Sequence, residues 1–313
     1  MGKYLLGIDN GSTVSKAALF DLKGNEIAVA GYAADTEYPH PGWTERDMEK
    51  LWQSTASAVR DVIAKSGIRP EEIAGIGNTG HGNGVYLLDK QGNPLRNGIQ
   101  SMDTRAAGIV NEWIERDLHA QVFPYMLQIL WPAQPTALLA WIKENEPGNY
   151  ENIGAILMVK DYIMYRLTGE ISGDYTDMSG ANLMDVRNKS YSKELMDLYD
   201  LSEVYDALPP LKQSSEIAGQ VTPTAAQETG LAVGTPVVGG LFDVDASAIG
   251  SGVINANQAC LVMGSWSINE IITEDPSVDP SIFMTTIFAD PSLYLTIERS
   301  ASSATNLEWF VQQ

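Results

Sequence analysis

The chain opens on an apolar run that ends at an acidic residue and passes directly into a turn of small polar residues. Residues 4–9 have the length and hydrophobicity of a buried strand, residues 10–13 form the turn, and residues 15–20 resume an extended pattern. A second turn leads into another strand at residues 26–30. This order predicts a fold that starts with a three-stranded meander carrying a carboxylate at its first turn.

The same arrangement of strand, small-residue turn and strand returns at residues 260–271. Two hairpins of one style in opposite halves indicate a duplicated, two-lobed nucleotide-binding fold, although two hairpins also resemble each other by chance. A length of 313 residues suggests about two domains of ordinary size.

Between the two hairpins the pattern is mainly helical. The first helix is expected to start at Thr44, with Asp47 as its capping-box partner, and to end at Gly67. A short helix is expected between a cap at Thr222 and a stop at Gly230. Other expected elements are helices at roughly 104–117, 135–145, 154–168 and 192–199, a buried strand at 236–242, and a helical stretch at 246–250.

Charge and cysteine content exclude several classes of function. Forty acidic residues against twenty basic ones give a net charge of -20, which argues against a nucleic-acid partner. No run of about 18 apolar residues predicts a membrane span, and the first residues do not resemble a signal peptide. The lone Cys260 cannot form an intrachain disulfide, so we expect a buried thiol and a cytoplasmic location.

The strongest local signal is the first turn. Gly11 lets the backbone approach a ligand closely, and the hydroxyls of Ser12 and Thr13 can donate hydrogen bonds to phosphate oxygens. Asp9 would repel phosphate unless a Mg²⁺ ion lies between them. The alternative is an ordinary Asp-Asn-Gly β-turn. No Walker loop or GxGxxG motif occurs in the chain.

A second signal is the carboxylate that ends the strand at 236–242. Asp243 lies where α/β sheets place their sites, and a base there could accept a proton from a hydroxyl that attacks a phosphate. Asp243 could instead cap the following helix, and Asp245, two residues on, is a rival base.

Two further segments carry polar groups suited to a polyol. Four glycines among residues 77–84 indicate unusual backbone geometry around His81, although most histidines are not ligands. Asp103 could accept hydrogen bonds from vicinal hydroxyls, or could simply lie near a helix N-terminus.

Taken together, these residues resemble the FGGY family of carbohydrate kinases. The resemblance implies an α/β, ribonuclease-H-like fold of the two-lobed actin and hexokinase type, with residues 1–245 as the first, sugar-binding and catalytic lobe. Residues 246–313 would begin the second, ATP-binding lobe. The supporting motifs, in the family's order, are residues 7–13, Gly80-His81-Gly82, Asp103 with Arg105, Asp161-Tyr162 with residues 166–170, residues 208–210 and 234–237, residues 239–250, and residues 263–266.

The resemblance also implies the reaction, which is phosphorylation of a sugar hydroxyl by ATP with Mg²⁺. Asp243 would be the catalytic base and Asp9 the metal ligand. The sugar-binding residues would be Gly80, His81, Asp103 and Asp243, and ATP would contact Asp9, Gly11, Ser12, Thr13, Gly264 and Ser265.

Within the family, residues 41–48, 130–131 and 240–244 are most similar to the L-xylulose kinases and xylulokinases, which implies a pentulose such as L-xylulose or D-xylulose. Erythritol kinases remain rivals, and a homodimer is compatible with the resemblance. The family's second lobe continues beyond the point where Gln313 ends this sequence, so we expect an incomplete second lobe. That expectation leaves open a non-catalytic sugar-binding fragment. An actin-like ATPase is disfavoured by the sugar-region motifs.

Overall fold

The structure, a computed structural model, describes residues 2–263, 267–300 and 310–311. Strands and helices are mixed along these ranges, in an α/β architecture. The strands are β1 (Tyr4–Asn10), β2 (Val14–Asp21), β3 (Glu26–Ala33), β4 (Thr36–Glu37), β5 (Glu45–Arg46), β6 (Ile73–Gly80), β7 (Tyr86–Asp89), β8 (Gly98–Ile99), β9 (Ile153–Leu157), β10 (Gly173–Asp174), β11 (Met184–Asp185), β12 (Ser190–Tyr191), β13 (Leu211–Lys212), β14 (Ile217–Gln220), β15 (Pro236–Val238), β16 (Leu241–Phe242), β17 (Ala259–Met263), β18 (Ser267–Thr273), β19 (Met284–Ile287) and β20 (Tyr294–Ser300).

The helices range from five to 19 residues in length. They are α1 (Met48–Ser66), α2 (Ala107–Glu115), α3 (Leu118–Met126), α4 (Pro135–Asn145), α5 (Pro147–Glu151), α6 (Val159–Thr168), α7 (Tyr175–Gly180), α8 (Lys193–Leu198), α9 (Pro223–Thr229) and α10 (Asp243–Gly250), with 3₁₀ turns at Pro70–Glu72 and Ser202–Ala207. Among the described residues, no helix is both long enough and apolar enough to cross a bilayer.

The main sheet has the strand order β14-β15-β6-β1-β2-β3, and β16 also pairs with β6. The predicted meander β1-β2-β3 is antiparallel throughout, while β6 runs parallel to β1, β15 and β16. Buried side chains of β1, such as Leu6 and Ile8, pack against α1 residues such as Leu51 and Val59 in one hydrophobic core. Because β1, β6 and β16 are parallel, their carboxyl ends meet at one edge of the sheet.

A second sheet, of order β17-β18-β20-β19, is antiparallel. Its first two strands are the predicted second hairpin, with Cys260 paired to Glu270. The sheet has its own small core around Ile272 and Leu295, and Phe242 from the main sheet belongs to that core. Cys260 is buried with 5% of its surface exposed, as the sequence predicted.

The expected start of the first helix was wrong. Glu45 and Arg46 pair with β8 as strand β5, which keeps the chain extended beyond Thr44. The helix begins only after Asp47, whose carboxylate accepts a hydrogen bond from the Lys50 amide at 2.8 Å. The predicted end at Gly67 and the predicted cap at Thr222 are both confirmed.

The helix predicted at 154–168 covers two elements. Its first part is the buried strand β9, which pairs with β7, and only the second part is α6. A short continuous apolar run does not distinguish a buried strand from a helix, and here pairing with β7 decided the outcome. Helix α3, which contains Pro124, was not predicted from the sequence.

The strand predicted at 236–242 is interrupted at Gly239–Gly240, where β15 ends and β16 begins. Gly240 has φ of 77°, and a Cβ there would lie 2.1 Å from the Asn78 side chain. Only glycine tolerates both conditions. The interruption lets Leu241 and Phe242 pair with Thr79 and Gly80, which sets the position of Asp243.

Candidate active site

Three strand ends bring the predicted site residues to one edge of the main sheet. Asn10 and Phe242 each pair with Gly80, from either side. The residues that follow these ends therefore share one region, which is where parallel sheets expose their sites. A cavity of about 470 Å³ lies there, lined among others by Ser12, Thr13, His81, Asn83, Ser101 and Asp243.

The turn between β1 and β2, Gly11–Thr13, is the predicted phosphate contact, and it is called the phosphate loop below. The Gly11 amide donates to the Val14 carbonyl at 3.1 Å, which closes the turn. Behind it, the guanidinium of Arg46 donates to the Gly11 carbonyl at 3.4 Å and to the Ser15 hydroxyl at 2.8 Å. Arg46 has 1% of its surface exposed, and burial lowers its pKa. A buried cation therefore supports the loop, a feature that sequence reasoning missed.

Asp9 lies one residue before the end of β1, opposite Lys16 and Thr79. It is half-buried and is not among the residues lining the cavity. Burial raises the pKa of its carboxyl, and the charge of Lys16 partly opposes that rise. Asp9 thus lies beside the phosphate loop, and a nearby positive charge would stabilise its ionised form.

Asp243 lines the cavity as the first residue of α10. Phe242 occupies the N-cap position of α10. The alternative interpretation, in which Asp243 caps this helix, is therefore wrong. Burial, and secondarily the charge of Asp9, raise the pKa of Asp243 to about 7. A carboxyl with that pKa can exchange a proton near neutral pH, as a general base must.

The rival carboxylate, Asp245, is completely buried and does not line the cavity. One of its oxygens accepts a hydrogen bond from the Ala289 amide at 3.2 Å. Burial raises the pKa of Asp245 well above its ordinary range. Of the two acids, the geometry presents Asp243 to a ligand.

His81 also lines the cavity and is held in place by its own ring nitrogens. Its Nε2 shares a hydrogen bond with the Tyr86 hydroxyl at 3.1 Å, and its Nδ1 lies 3.3 Å from the Gly82 carbonyl oxygen. Burial lowers the pKa of His81 to about 4, and the charge of Arg46 acts in the same direction. His81 is therefore neutral at physiological pH.

The glycines beside His81 are dictated by close packing. A Cβ on Gly80 would lie 2.5 Å from Val159, and a Cβ on Gly82 would lie 2.2 Å from the Phe242 ring. Gly80 is not itself among the cavity-lining residues. Gly80 therefore lets β6 lie close to α6, and Gly82 lets the chain just after β6 pack on Phe242, the residue before Asp243.

Asp103 lies in an internal ion pair. Its two oxygens accept hydrogen bonds from the Thr44 amide at 2.7 Å and from the amide and guanidinium of Arg105 at 2.8–2.9 Å. Arg105 in turn stacks on Trp43, 4.1 Å from the ring centroid. Asp103 is 1% exposed and does not line the cavity, so sugar binding by this residue stays a prediction.

The opposite wall of the cavity comes from the second sheet and was missed by sequence reasoning. Arg299 stacks its guanidinium on Phe283 and Trp131, at 4.1 and 4.9 Å from the ring centroids. Burial lowers the pKa of Arg299. Only the packing of the two sheets brings this wall to Asp243; its other members are Ile268, Met284 and Ile297.

The predicted second phosphate contact, Gly264 and Ser265, lies outside the described residues. The strands that flank it, β17 and β18, are present as predicted. Within the described part of the chain, no cluster of three or more His, Cys, Asp or Glu side chains is arranged to hold a metal ion.

Comparison with known proteins agrees with this geometry. The N-terminal domain of the FGGY family of carbohydrate kinases matches residues 4–250. The chain belongs to this family. The match covers β1 through α10, and so includes the phosphate loop, His81 and Asp243.

Several of the similar proteins are named as xylulose or L-xylulose kinases. A probable L-xylulose kinase of Pasteurella multocida is 40% identical over 99% of this chain, and the L-xylulose/3-keto-L-gulonate kinase of Escherichia coli is 38% identical over 100% of it. The solved xylulose kinase of Rhodospirillum rubrum superposes with a TM-score of 0.92 at 28% identity, over 98% of this chain. The chain spans 64%, 63% and 62% of these three proteins.

Proposed function

We propose that this chain carries the sugar-binding and catalytic part of a kinase that transfers phosphate from ATP to a sugar hydroxyl. The observation that carries the proposal is the position of Asp243, which lines a cavity shared with His81 and the phosphate loop and has a pKa of about 7. A base of that pKa in one cavity with the predicted polyol and phosphate contacts suits phosphoryl transfer.

The proposed reaction assigns one task to each side of the cavity. Asp243 accepts the proton of the attacking hydroxyl, while neutral His81, whose ring nitrogens are held by Tyr86 and Gly82, lines the cavity beside the sugar. The hydroxyls of Ser12 and Thr13 hold phosphate oxygens, with Arg46 supporting the loop from behind. The apolar wall formed by Phe283 and its neighbours excludes water, which would otherwise compete as acceptor.

The residues present fit a Mg²⁺ ion. The charge of Asp9 raises the pKa of Asp243, and a cation near Asp9 would relieve that repulsion. Asp9 would hold the ion through one carboxylate, in the manner that Mg²⁺ prefers when substrate phosphates supply other oxygens. When bound, Mg²⁺ would neutralise phosphate charge, which matters in a chain of net charge -20.

For the substrate, the relatives favour a pentulose, with L-xylulose first and D-xylulose second. The cavity of about 470 Å³ lies within the range of small-molecule sites. Ser101, Asn83 and His81 offer a polar lining to the hydroxyls of such a sugar.

The test is a substrate panel on the full-length protein. Mg-ATP is offered with L-xylulose, D-xylulose, erythritol and glycerol, and release of ADP is followed by a coupled assay. We expect ADP release with a pentulose and little with glycerol. Calorimetry of the 313-residue chain with the same sugars provides the second measurement. Heat of sugar binding without ADP release in the full-length protein would contradict the kinase and favour a sugar-binding module.

A further inference from the structure

A chain of buried hydrogen bonds ends at the amide that precedes Asp243. The Phe242 amide donates to the Thr176 hydroxyl at 2.9 Å, and that hydroxyl donates to Asp174 at 2.7 Å. The other oxygen of Asp174 lies 2.8 Å from the ammonium group of Lys160. Lys160, Asp174 and Thr176 all have 0% of their surface exposed. The chain therefore runs from α6, through α7, to the junction of β16 and α10.

The direction of each bond in this chain is fixed. A threonine hydroxyl has a single proton, which it donates in the hydrogen bond to Asp174. A lone pair of the hydroxyl oxygen must therefore face the Phe242 amide. Asp174 also accepts from the amides of Thr176 and Asp177, at 2.9 and 3.3 Å, and so caps α7. Burial lowers the pKa of Lys160, but the charges of three neighbouring aspartates raise it by more. The net effect is a raised pKa, so the lysine stays charged. Charge-assisted bonds of this kind are shorter and stronger than neutral ones.

The Phe242 amide has a particular need for this partner. In the described part of the chain, strand β16 pairs only with β6, and Thr176 occupies the position that another strand would take. Phe242 is also the residue at which the backbone turns from strand to helix, with φ of -58° and ψ of 144°. A shift of this amide would move the next residue, Asp243, relative to the cavity.

We propose that Thr176 is a positioning residue for the phosphoryl-transfer reaction, and that Lys160 and Asp174 hold its hydroxyl in the required orientation. Thr176 does not line the cavity; it acts through the backbone of Phe242. The inference rests on the function proposed above, in which Asp243 is the base. Loss of the Thr176 hydroxyl should impair turnover and spare sugar binding.

The test replaces Thr176 with valine, which keeps the shape and removes the hydroxyl, in the full-length protein. Because a displacement of about 1 Å costs roughly 100-fold, we expect kcat to fall by about 10- to 100-fold, with KM for the sugar within about twofold. Thr176→Ser restores the hydroxyl and should return kcat to near the wild-type value.

Thr229→Val is the matched control. Thr229 is 1% exposed, its hydroxyl accepts from the Leu231 amide at 3.3 Å, and it lies at the end of α9, outside the cavity lining. Its kcat should match the wild type. If valine at 176 prevents folding, as judged by circular dichroism, Thr176→Ala must show the same separation of kcat from KM.

The outcomes distinguish failure of the proposed function from failure of the positioning role of Thr176. A wild-type protein that phosphorylates no sugar overturns the proposed function and this inference together. An active wild type with an equally active, folded Thr176→Val or Thr176→Ala variant overturns only the positioning role. Equal losses in the Thr176 and Thr229 variants, with KM raised in both, would also overturn it, since that pattern reports general loss of structure.

Discussion

Glu270 is a buried acid whose ionisation should measurably destabilise the fold. It lies on β18, has 0% of its surface exposed, and is paired across the sheet with Cys260 and Ile297. Neither carboxylate oxygen has a nitrogen or oxygen donor within reach among the described residues. The Cys260 thiol, a weak donor, offsets little of this cost. Burial, and secondarily the charge of Asp243, raise the pKa of Glu270 to about 8.

The magnitude follows from linkage between protonation and folding. Between pH 4.5 and about 8 the folded protein keeps a proton on Glu270 that the unfolded chain has released. The free energy of unfolding therefore falls as pH rises through this window and levels off above it. At about 1.36 kcal/mol per pH unit, the full effect reaches about 5 kcal/mol as an upper limit. Glu270→Gln removes it, because glutamine carries no titrating proton.

The assay is urea unfolding of wild type and Glu270→Gln at pH values from 5 to 9. We expect similar stability at pH 5 and a stability advantage for the variant that grows steadily towards pH 8. Glu274→Gln, an exposed position just after the same strand, should show a difference that does not change with pH. A pH-independent difference for Glu270→Gln as well would refute the reasoning.

Three other predictions concern the cavity. Because Asp243 must be ionised to act as base and its pKa is about 7, kcat/KM should fall about tenfold per pH unit below that value; a profile flat to pH 5 would argue against it. Gly82→Ala should abolish most turnover and cost about 1–3 kcal/mol of stability, since its Cβ would lie 2.2 Å from the Phe242 ring. Gly108→Ala, whose Cβ meets nothing within 4 Å, should leave turnover unchanged and should not lower stability, because alanine favours the helix α2 that contains it. Arg46→Gln should weaken Mg-ADP binding about tenfold or more, as judged by calorimetry, because a charged donor that holds the phosphate loop is lost; unchanged affinity would show that the loop needs no such support.

The parts of the fold that depend on local sequence were predictable. The meander, the cap at Thr222 and the second hairpin all follow from patterns within about ten residues. The start of α1 was not predictable in this way. Glu45 and Arg46 pair with β8, and this pairing overrode a good local cap at Thr44. Strand β9 was taken for helix because its apolar run suits either structure.

The same division applies to the site. Asp243, His81 and the phosphate loop follow strand ends, so their convergence could be expected from a parallel sheet. The wall around Arg299 could not, because it depends on how the second sheet packs against the first. Thr176 could have been recognised as part of a capped turn after Asp174, but nothing in the sequence indicates that its hydroxyl reaches Phe242.

Asp243 is the base of the proposed reaction, and Asp243→Asn in the full-length protein tests this role directly. Asparagine keeps the shape of the side chain and cannot accept the proton of the sugar hydroxyl. We expect sugar affinity, measured by calorimetry, to stay within about threefold, while kcat falls by at least about 100-fold, as for loss of a general base. Sugar binding with turnover close to that of the wild type would contradict the central claim.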